Sequence, residues 1–280
     1  MTLSESTEPV RIVRHPDHVV ELRLADPAHG NALNLRTAEG LRDAARQVAA
    51  DPGRAVLLRA DGGSFCVGGD LHAFAGLGAA TGPYVRAVAD AAHTAIQALY
   101  DLPVPLVTAV RGAAAGGGVG LALVGDIVLA ARSARFRLAY TAIGLSPDCG
   151  ASWFLPRLVG PRRAAELILT NRTLTGDDAE RWGLVSRSVD DGQLDDTALG
   201  TASALAAGAG DALRAAKSLL RSGAGDGAGL RQRLAQEAES IATLADGPQA
   251  QELMAAFLAA RGRPKTDGGR TAALAPESVS

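Results

Sequence analysis

Residues 112–120 read GAAAGGGVG and stand between two apolar runs, PLVTAV and LALVGDIVLAA. Three consecutive glycines, Gly116, Gly117 and Gly118, are costly in regular structure, so the stretch marks a tight turn or a backbone that something approaches closely. A strand leading through such a turn into a helix constrains the chain to a layered α/β arrangement. Known phosphate-binding glycine motifs do not fit. G-x-G-x-x-G started at Gly116 or Gly118 ends on Leu121 or Leu123, and no glycine of the chain precedes a lysine as a P-loop requires. What remains is a strand-to-helix turn whose bare N–H groups, at the positive end of a helix, suit a negative charge developing on a ligand oxygen. Such a site needs a second donor.

The rest of the chain fits the α/β reading. VRIVRH and HVVELRL, joined by Pro-Asp, predict an antiparallel hairpin; NLRTAEGLRDAARQVAAD has helical spacing at Leu35, Leu41, Ala45 and Val48; RAVLLRA predicts a short buried strand. The turn DGGSFCVGGDL follows, then a Gly- and Ala-rich stretch over 75–84 expected to form a mobile flap, and a helical pattern running to Tyr100 and broken at DLPVP. Strands over PLVTAV, DIVLAA and RFRLAY alternate with a helix over GLALVG, whereas beyond about residue 190 only helical patterns occur. The tail from Pro264 lacks periodicity and is expected to be disordered.

Composition narrows the partners. With 280 residues, 47% of them hydrophobic, the chain can bury a large core; its net charge of −2 and lack of a basic block argue against nucleic acid. No apolar run reaches the ~18 residues that a membrane span needs, and the N-terminal stretch has no secretory pattern, so a cytoplasmic protein without membrane attachment is expected. Two cysteines, Cys66 and Cys149, and five scattered histidines offer neither a disulfide framework nor metal-ligand spacing. No metal is expected.

A second glycine turn, SFCVGGD, also follows a strand pattern and offers Gly68-Gly69-Asp70. Taken in order, NALN, SFCVGGDL, GAAAGGGVG, GDIVLAARSARF, IGLSPDCGASWFLPRLVG, LTNRTL and AERWGLVSR closely resemble the crotonase, or enoyl-CoA hydratase/isomerase, superfamily from about residue 10 to about 262. The resemblance implies a spiral of ββα units over residues 1–195, a helical region over 196–262 used for trimerisation, and a tail over 263–280. It also implies an acyl-CoA thioester substrate, with coenzyme A arriving as part of the substrate and no permanently bound cofactor, in a homotrimer or dimer of trimers. Matched by motif, the oxyanion donors are the N–H groups of Gly69 and Gly117, and Ala32, Asp70, Leu71 and Tyr140 lie where the CoA thioester is held. Gly30 occupies the slot of a usual basic contact to CoA, for which His29 or Arg36 would substitute.

The acid–base residues discriminate within the family. Typical hydratases carry two glutamates at positions held here by Gly120 and Tyr140, which leaves the paired-carboxylate addition of water without its acid and base. Asp148, in GLSPDCG, stands where several family isomerases place an aspartate, including those resembling 1,2-epoxyphenylacetyl-CoA isomerase. Its plain structural alternative is to cap the helix CGASWFLPRL. As a base desolvated between apolar helices it would have a raised pKa. His93 matches a histidine that accompanies the aspartate in 4-chlorobenzoyl-CoA dehalogenase; alternatively it is a buried helix histidine without chemistry. Trp153, Phe154 and Trp182 read as core, Cys149 as a packing residue, and Asp126 and Arg132 as turn fasteners; Ser146 lies outside any G-x-S-x-G elbow. The expected function is therefore enoyl-CoA isomerisation with Asp148 as base. The alternatives are hydratase-like chemistry, dehalogenation or hydrolysis with Asp148 as nucleophile and His93 activating water, or a non-catalytic CoA-binding subunit. Gly117→Val is expected to lower turnover by about two orders of magnitude or more in a folded protein, and Gly116→Ala to be milder unless its own dihedrals forbid alanine.

Overall fold

The computed structural model describes residues 8–224 and 227–261. The expected tail over 263–280 lies outside them. In chain order the elements are β1 (Val10–Arg14), β2 (Val19–Leu24), α1 (Leu35–Ala50), β3 (Ala55–Ala60), β4 (Ser64–Cys66), α2 (Leu71–Phe74), α3 (Thr81–Tyr100), β5 (Leu106–Val110), β6 (Ala113–Ala115) and α4 (Gly117–Leu123). They continue with β7 (Ile127–Ala131), β8 (Arg135–Arg137), α5 (Ala151–Leu158), α6 (Gly160–Thr170), β9 (Leu174–Thr175), α7 (Gly176–Trp182), β10 (Arg187–Val189), α8 (Leu194–Ala207), α9 (Gly210–Ala224), α10 (Gly227–Ala245) and α11 (Pro248–Arg261).

Two sheets are wound by one repeating path. The larger runs β1-β2-β3-β5-β7-β10 and the smaller β4-β6-β8-β9. β1 and β2 form the expected antiparallel hairpin, with Val10 opposite Leu24; from β2 to β10 the larger sheet is parallel. Each long strand passes directly into a short strand of the second sheet, β3 into β4, β5 into β6 and β7 into β8, before a helix returns the chain. This is the ββα spiral that the sequence implied. The short strands β4 and β6 fall within stretches that the sequence pattern marked only as turns, because three residues are too few to display a period of two.

Burial explains the long strands. β3 and β5 are covered on both faces, so Ala55–Leu58 and all of β5 are buried, the continuous apolar run of a parallel sheet. α1 turns Ala38, Leu41, Ala45 and Val48 inward against that core, and Asn34 caps it by accepting a hydrogen bond from the Thr37 amide. Of the helices expected to form an outlying C-terminal region, α8 packs on β3 and β5, and α10 packs on α3. Lys217 on α9 is buried as well, bonded to the Val104 carbonyl and the Asp126 carboxylate, and Arg221 grips Asp126 from the same helix. The expected flap contains a short 3-10 turn at Gly78–Ala80, and its far end is anchored: Thr81 opens α3 buried, and the Gly82 amide donates to Asp246 at 2.5 Å. No helix among the described residues is long and apolar enough to cross a membrane.

Candidate active site

β4 and β6 are adjacent parallel strands, so the turns that leave their carboxyl ends emerge side by side. After β4 the chain forms a parallel bridge in which the Leu33 amide donates to the Gly68 carbonyl at 2.8 Å and the Asp70 amide to the Leu33 carbonyl at 3.0 Å. Successive amides of extended backbone point to opposite sides, which turns the Gly69 N–H away from Leu33. After β6, Gly116 takes φ 49°, ψ −124°, a conformation closed to residues with a side chain, and Gly117 opens α4 as its first residue. Its N–H is one of the orphan donors of a helix start. Neither the Gly69 nor the Gly117 N–H has an acceptor among the described residues. Both glycines line one cavity of about 790 Å³, together with Ala32, Asp70, Leu71, Tyr140 and Asp148. Side chains have no room at either donor: a Cβ on Gly69 would sit 2.8 Å from the Phe74 ring, and one on Gly117 would sit 2.8 Å from the Cys149 sulfur.

His93 stands behind Asp148 and does not line the cavity. Its Nε2 lies 2.5 Å from Asp148 Oδ1, both residues being buried. The Cys149 amide also points at Nε2 from 3.3 Å, but a ring nitrogen that donates to the carboxylate has no lone pair left to accept it, so the shorter, charge-assisted contact governs. Burial alone pushes the Asp148 carboxyl up; the imidazole overrides it and holds the group below its usual value. Burial correspondingly pushes His93 down, and Asp148 carries it above the ordinary histidine range. The expectation of a raised Asp148 pKa is thereby corrected, because the desolvated carboxylate has a cation at hydrogen-bond distance. Asp148 does not cap α5 either: Gly150 takes that place, and the Asp148 carboxylate turns inward to the imidazole.

The Asp148 turn is held from several sides. Cys149 and Gly150 are both left-handed, φ 56° and 80°, and for Cys149 that conformation is strained. The Tyr140 hydroxyl donates to the Asp148 carbonyl at 3.0 Å. Gly120, in the slot of a family glutamate, faces this turn so closely that a Cβ there would lie 2.0 Å from the Cys149 carbonyl oxygen. Any side chain at 120 would displace the turn.

Glu237, on α10, was not anticipated from the sequence. It is buried, and its carboxylate accepts from the Gly150 amide at 2.7 Å, from the Ser152 amide at 2.9 Å, and from the Ser152 hydroxyl. Burial and the neighbouring Asp148 push it up to about 7. A signal was present: Leu230, Leu234, Ala238, Ile241 and Ala245 form the buried stripe of α10, and Glu237 lies within it. One turn farther along, Ile241 lines the cavity, as do Phe257 and Arg261 of α11 and Arg137, none of which the motifs indicated. His29 lines it too, paired with Asp26 at 2.8 Å, which raises its pKa. Asp70 lines the cavity but is engaged structurally, capping α2 through the His72 and Ala73 amides.

His93, Asp148 and Cys149 bring a ring nitrogen, a carboxylate oxygen and a sulfur within 4.8 Å of one another. Burial, with Asp148 beside it, pushes the Cys149 thiol well up, so it stays protonated and points to Asp148 Oδ2 from 3.6 Å. The trio is a hydrogen-bonded cluster around one proton-accepting oxygen pair. Trp153 and Phe154 are buried and Trp182 is partly so, as core residues; Arg132 fastens Asp177 and Asp190.

Comparison with known proteins agrees with this geometry. The family model for enoyl-CoA hydratase/isomerase matches residues 14–265. A "Probable enoyl-CoA hydratase" of Rhodobacter capsulatus is 37% identical over 241 residues, 86% of this chain and 91% of the relative. The 1,2-epoxyphenylacetyl-CoA isomerase of Escherichia coli is 40% identical over 182 residues, 64% of this chain and 70% of the relative. Among solved structures, an enoyl-CoA hydratase/isomerase from Pseudoalteromonas atlantica superposes with a TM-score of 0.79 at 30% identity, covering 90% of this chain and 97% of the other. With its ββα spiral and paired glycine turns, the chain belongs to the enoyl-CoA hydratase/isomerase family, the crotonase superfamily.

Proposed function

We propose that this protein is an acyl-CoA isomerase that moves the double bond of an enoyl thioester by proton transfer through an enolate. The observation that carries this reading is the placement of one ionised carboxylate, Asp148, in the same cavity as two acceptor-free amides, Gly69 and Gly117. The thioester carbonyl accepts from both amides. Asp148 then removes a proton from C2; the electron pair moves onto the carbonyl oxygen, where the two N–H groups stabilise it, each donor contributing about 3 kcal/mol by analogy with other oxyanion holes. Return of the proton at C4 completes the shift of the double bond. His93 keeps Asp148 ionised until it takes the C2 proton and holds the carboxyl group oriented while it carries that proton to C4.

The closed slot at Gly120 favours isomerisation over paired-glutamate hydration, because the Cys149 carbonyl occupies the space of a second carboxylate. His29, Arg137 and Arg261, lining the same cavity, are the cations we expect to meet the CoA phosphates. A closed trimer would cover Leu219 and Leu220, which are 74% and 75% exposed on α9; sedimentation equilibrium measures the assembly.

The reaction is tested by incubating a 3-enoyl-CoA in D2O and following the conjugated product and its deuterium by mass spectrometry, with wild type and Asp148→Asn. Labelled product from wild type and none from the variant are expected. Retained turnover in Asp148→Asn would remove the assignment, and a parallel single turnover in oxygen-labelled water that leaves the label in Asp148 would replace it with nucleophilic attack.

A further inference from the structure

We infer that Glu237 is a positioning residue, which reaches from α10 across the chain to hold the turn that delivers Asp148 to His93 and to the cavity. The inference rests on the reading of Asp148 as the base. Glu237 does not line the cavity, so it acts through the turn and not on substrate.

Three observations support the role. First, α5 starts without a capping side chain of its own, and its start follows two left-handed residues, Cys149 and Gly150. That turn would relax if its amides were released to other partners, and Asp148 immediately precedes it. Second, the Glu237 carboxylate takes the Gly150 and Ser152 amides with separate oxygens, so it fixes both the position and the direction of the turn. Third, the acid occupies a place in the apolar stripe of α10 where leucine or alanine would pack without desolvating a charge. Stability alone therefore does not explain a carboxylate there. A requirement for geometry does.

The electrostatic surroundings make the role measurable. Facing Glu237 are His93 from α3, Asp148 and Cys149 from the turn and Ser152 from the first turn of α5, with the buried Tyr140 hydroxyl beside them. Arg86 and Asp90 of α3 pair with each other on the outer side, where Arg86 also meets Glu239. An ionised Glu237 supports the imidazolium form of His93, and Asp148 raises the proton affinity of Glu237 in turn. Loss of the Glu237 charge thus moves the His93 titration to lower pH.

The test compares Glu237→Gln and Ser152→Ala with wild type, using the full chain. Glutamine keeps the shape but sets an NH2 group against one of the two backbone amides, so one anchor is lost; Ser152→Ala removes only the hydroxyl and leaves the charge and both amide bonds. For Glu237→Gln the expected result is a drop in kcat of about tenfold or more, since displacements near 1 Å cost up to about 10²-fold, with KM within about twofold. The basic limb of the pH–rate profile should shift to lower pH, and so should the His93 ring resonance of the ligand-free protein. Ser152→Ala should leave the profile in place. An unmoved His93 resonance in folded Glu237→Gln overturns the inference, as does a kcat loss that only follows the loss of folded protein. The resonance is read without substrate. It therefore decides the positioning role even if Asp148→Asn proves active and the isomerase reading fails.

Discussion

Gly120→Ala is the smallest change that tests whether the Asp148 turn must stay where it is. The new methyl carbon would lie 2.0 Å from the Cys149 oxygen and 2.7 Å from its carbonyl carbon. Because Cβ contacts below 3.0 Å do not occur, α4 and the turn have to separate by about 1 Å. The turn has little freedom to yield, being tied by Tyr140, His93 and Glu237. Overpacking of this kind costs about 1–3 kcal/mol, partly offset by about 1 kcal/mol of helix propensity gained on replacing glycine in α4. The functional effect is larger: a 1 Å displacement of a catalytic group lowers turnover by ~10²-fold. Turnover of an acyl-CoA substrate and the thermal midpoint are measured together, with Gly200→Ala as control. Gly200 lies in α8 with nothing within 4 Å of its would-be Cβ, so that variant should keep full activity and gain slightly in stability. A Gly120→Ala protein with wild-type turnover and midpoint would refute the argument that the turn geometry is fixed by close packing.

The two neighbouring glycines should fail in different ways, because the dihedrals of Gly116 forbid alanine. Gly116→Ala places a side chain at φ 49°, ψ −124°, and a thermal midpoint several degrees below wild type is expected, so the variant is not the mild one. Gly117→Val drives its branches into Cys149 and Leu33, where contacts would already be 2.8 and 3.1 Å for the first carbon; turnover should fall by about two orders of magnitude, and unchanged turnover in a folded variant would discount the donor role. Acid should unfold the protein in part through Glu21, which is fully buried among Arg23, Arg59 and His15 and is held at about 2 against an ordinary 4.5. Its folded-state pKa is depressed, so its contribution, of order 3 kcal/mol, is complete above about pH 4.5 and disappears as pH falls toward 2. Urea midpoints across that window, compared with Glu21→Gln, measure it: the variant should lose most of this pH dependence.

The sequence by itself determined the framework and the chemistry-bearing positions. Short apolar runs such as AVLL and LVTAV, bounded by turn signals, predicted buried strands, and the spacing of α1 predicted a helix, because period and apolar content are properties of local order. Glycine clusters at 68–69 and 116–118 announced close backbone approach, and their motif company marked Asp148 and His93. Tertiary structure decided what those positions do to one another. His93 and Asp148 are 55 residues apart, and only the packing of α3 against the turn before α5 brings them to 2.5 Å, which reverses the direction in which burial alone would move the carboxylate. Gly120 looked like a missing glutamate; the fold shows a position with no space for any side chain. Glu237 lies 87 residues from the amide of Gly150 that it binds, and no local pattern encodes that partner. Periodicity records which face of an element is buried, whereas pKa, clearance and hydrogen-bond partners depend on what another part of the chain places against that face.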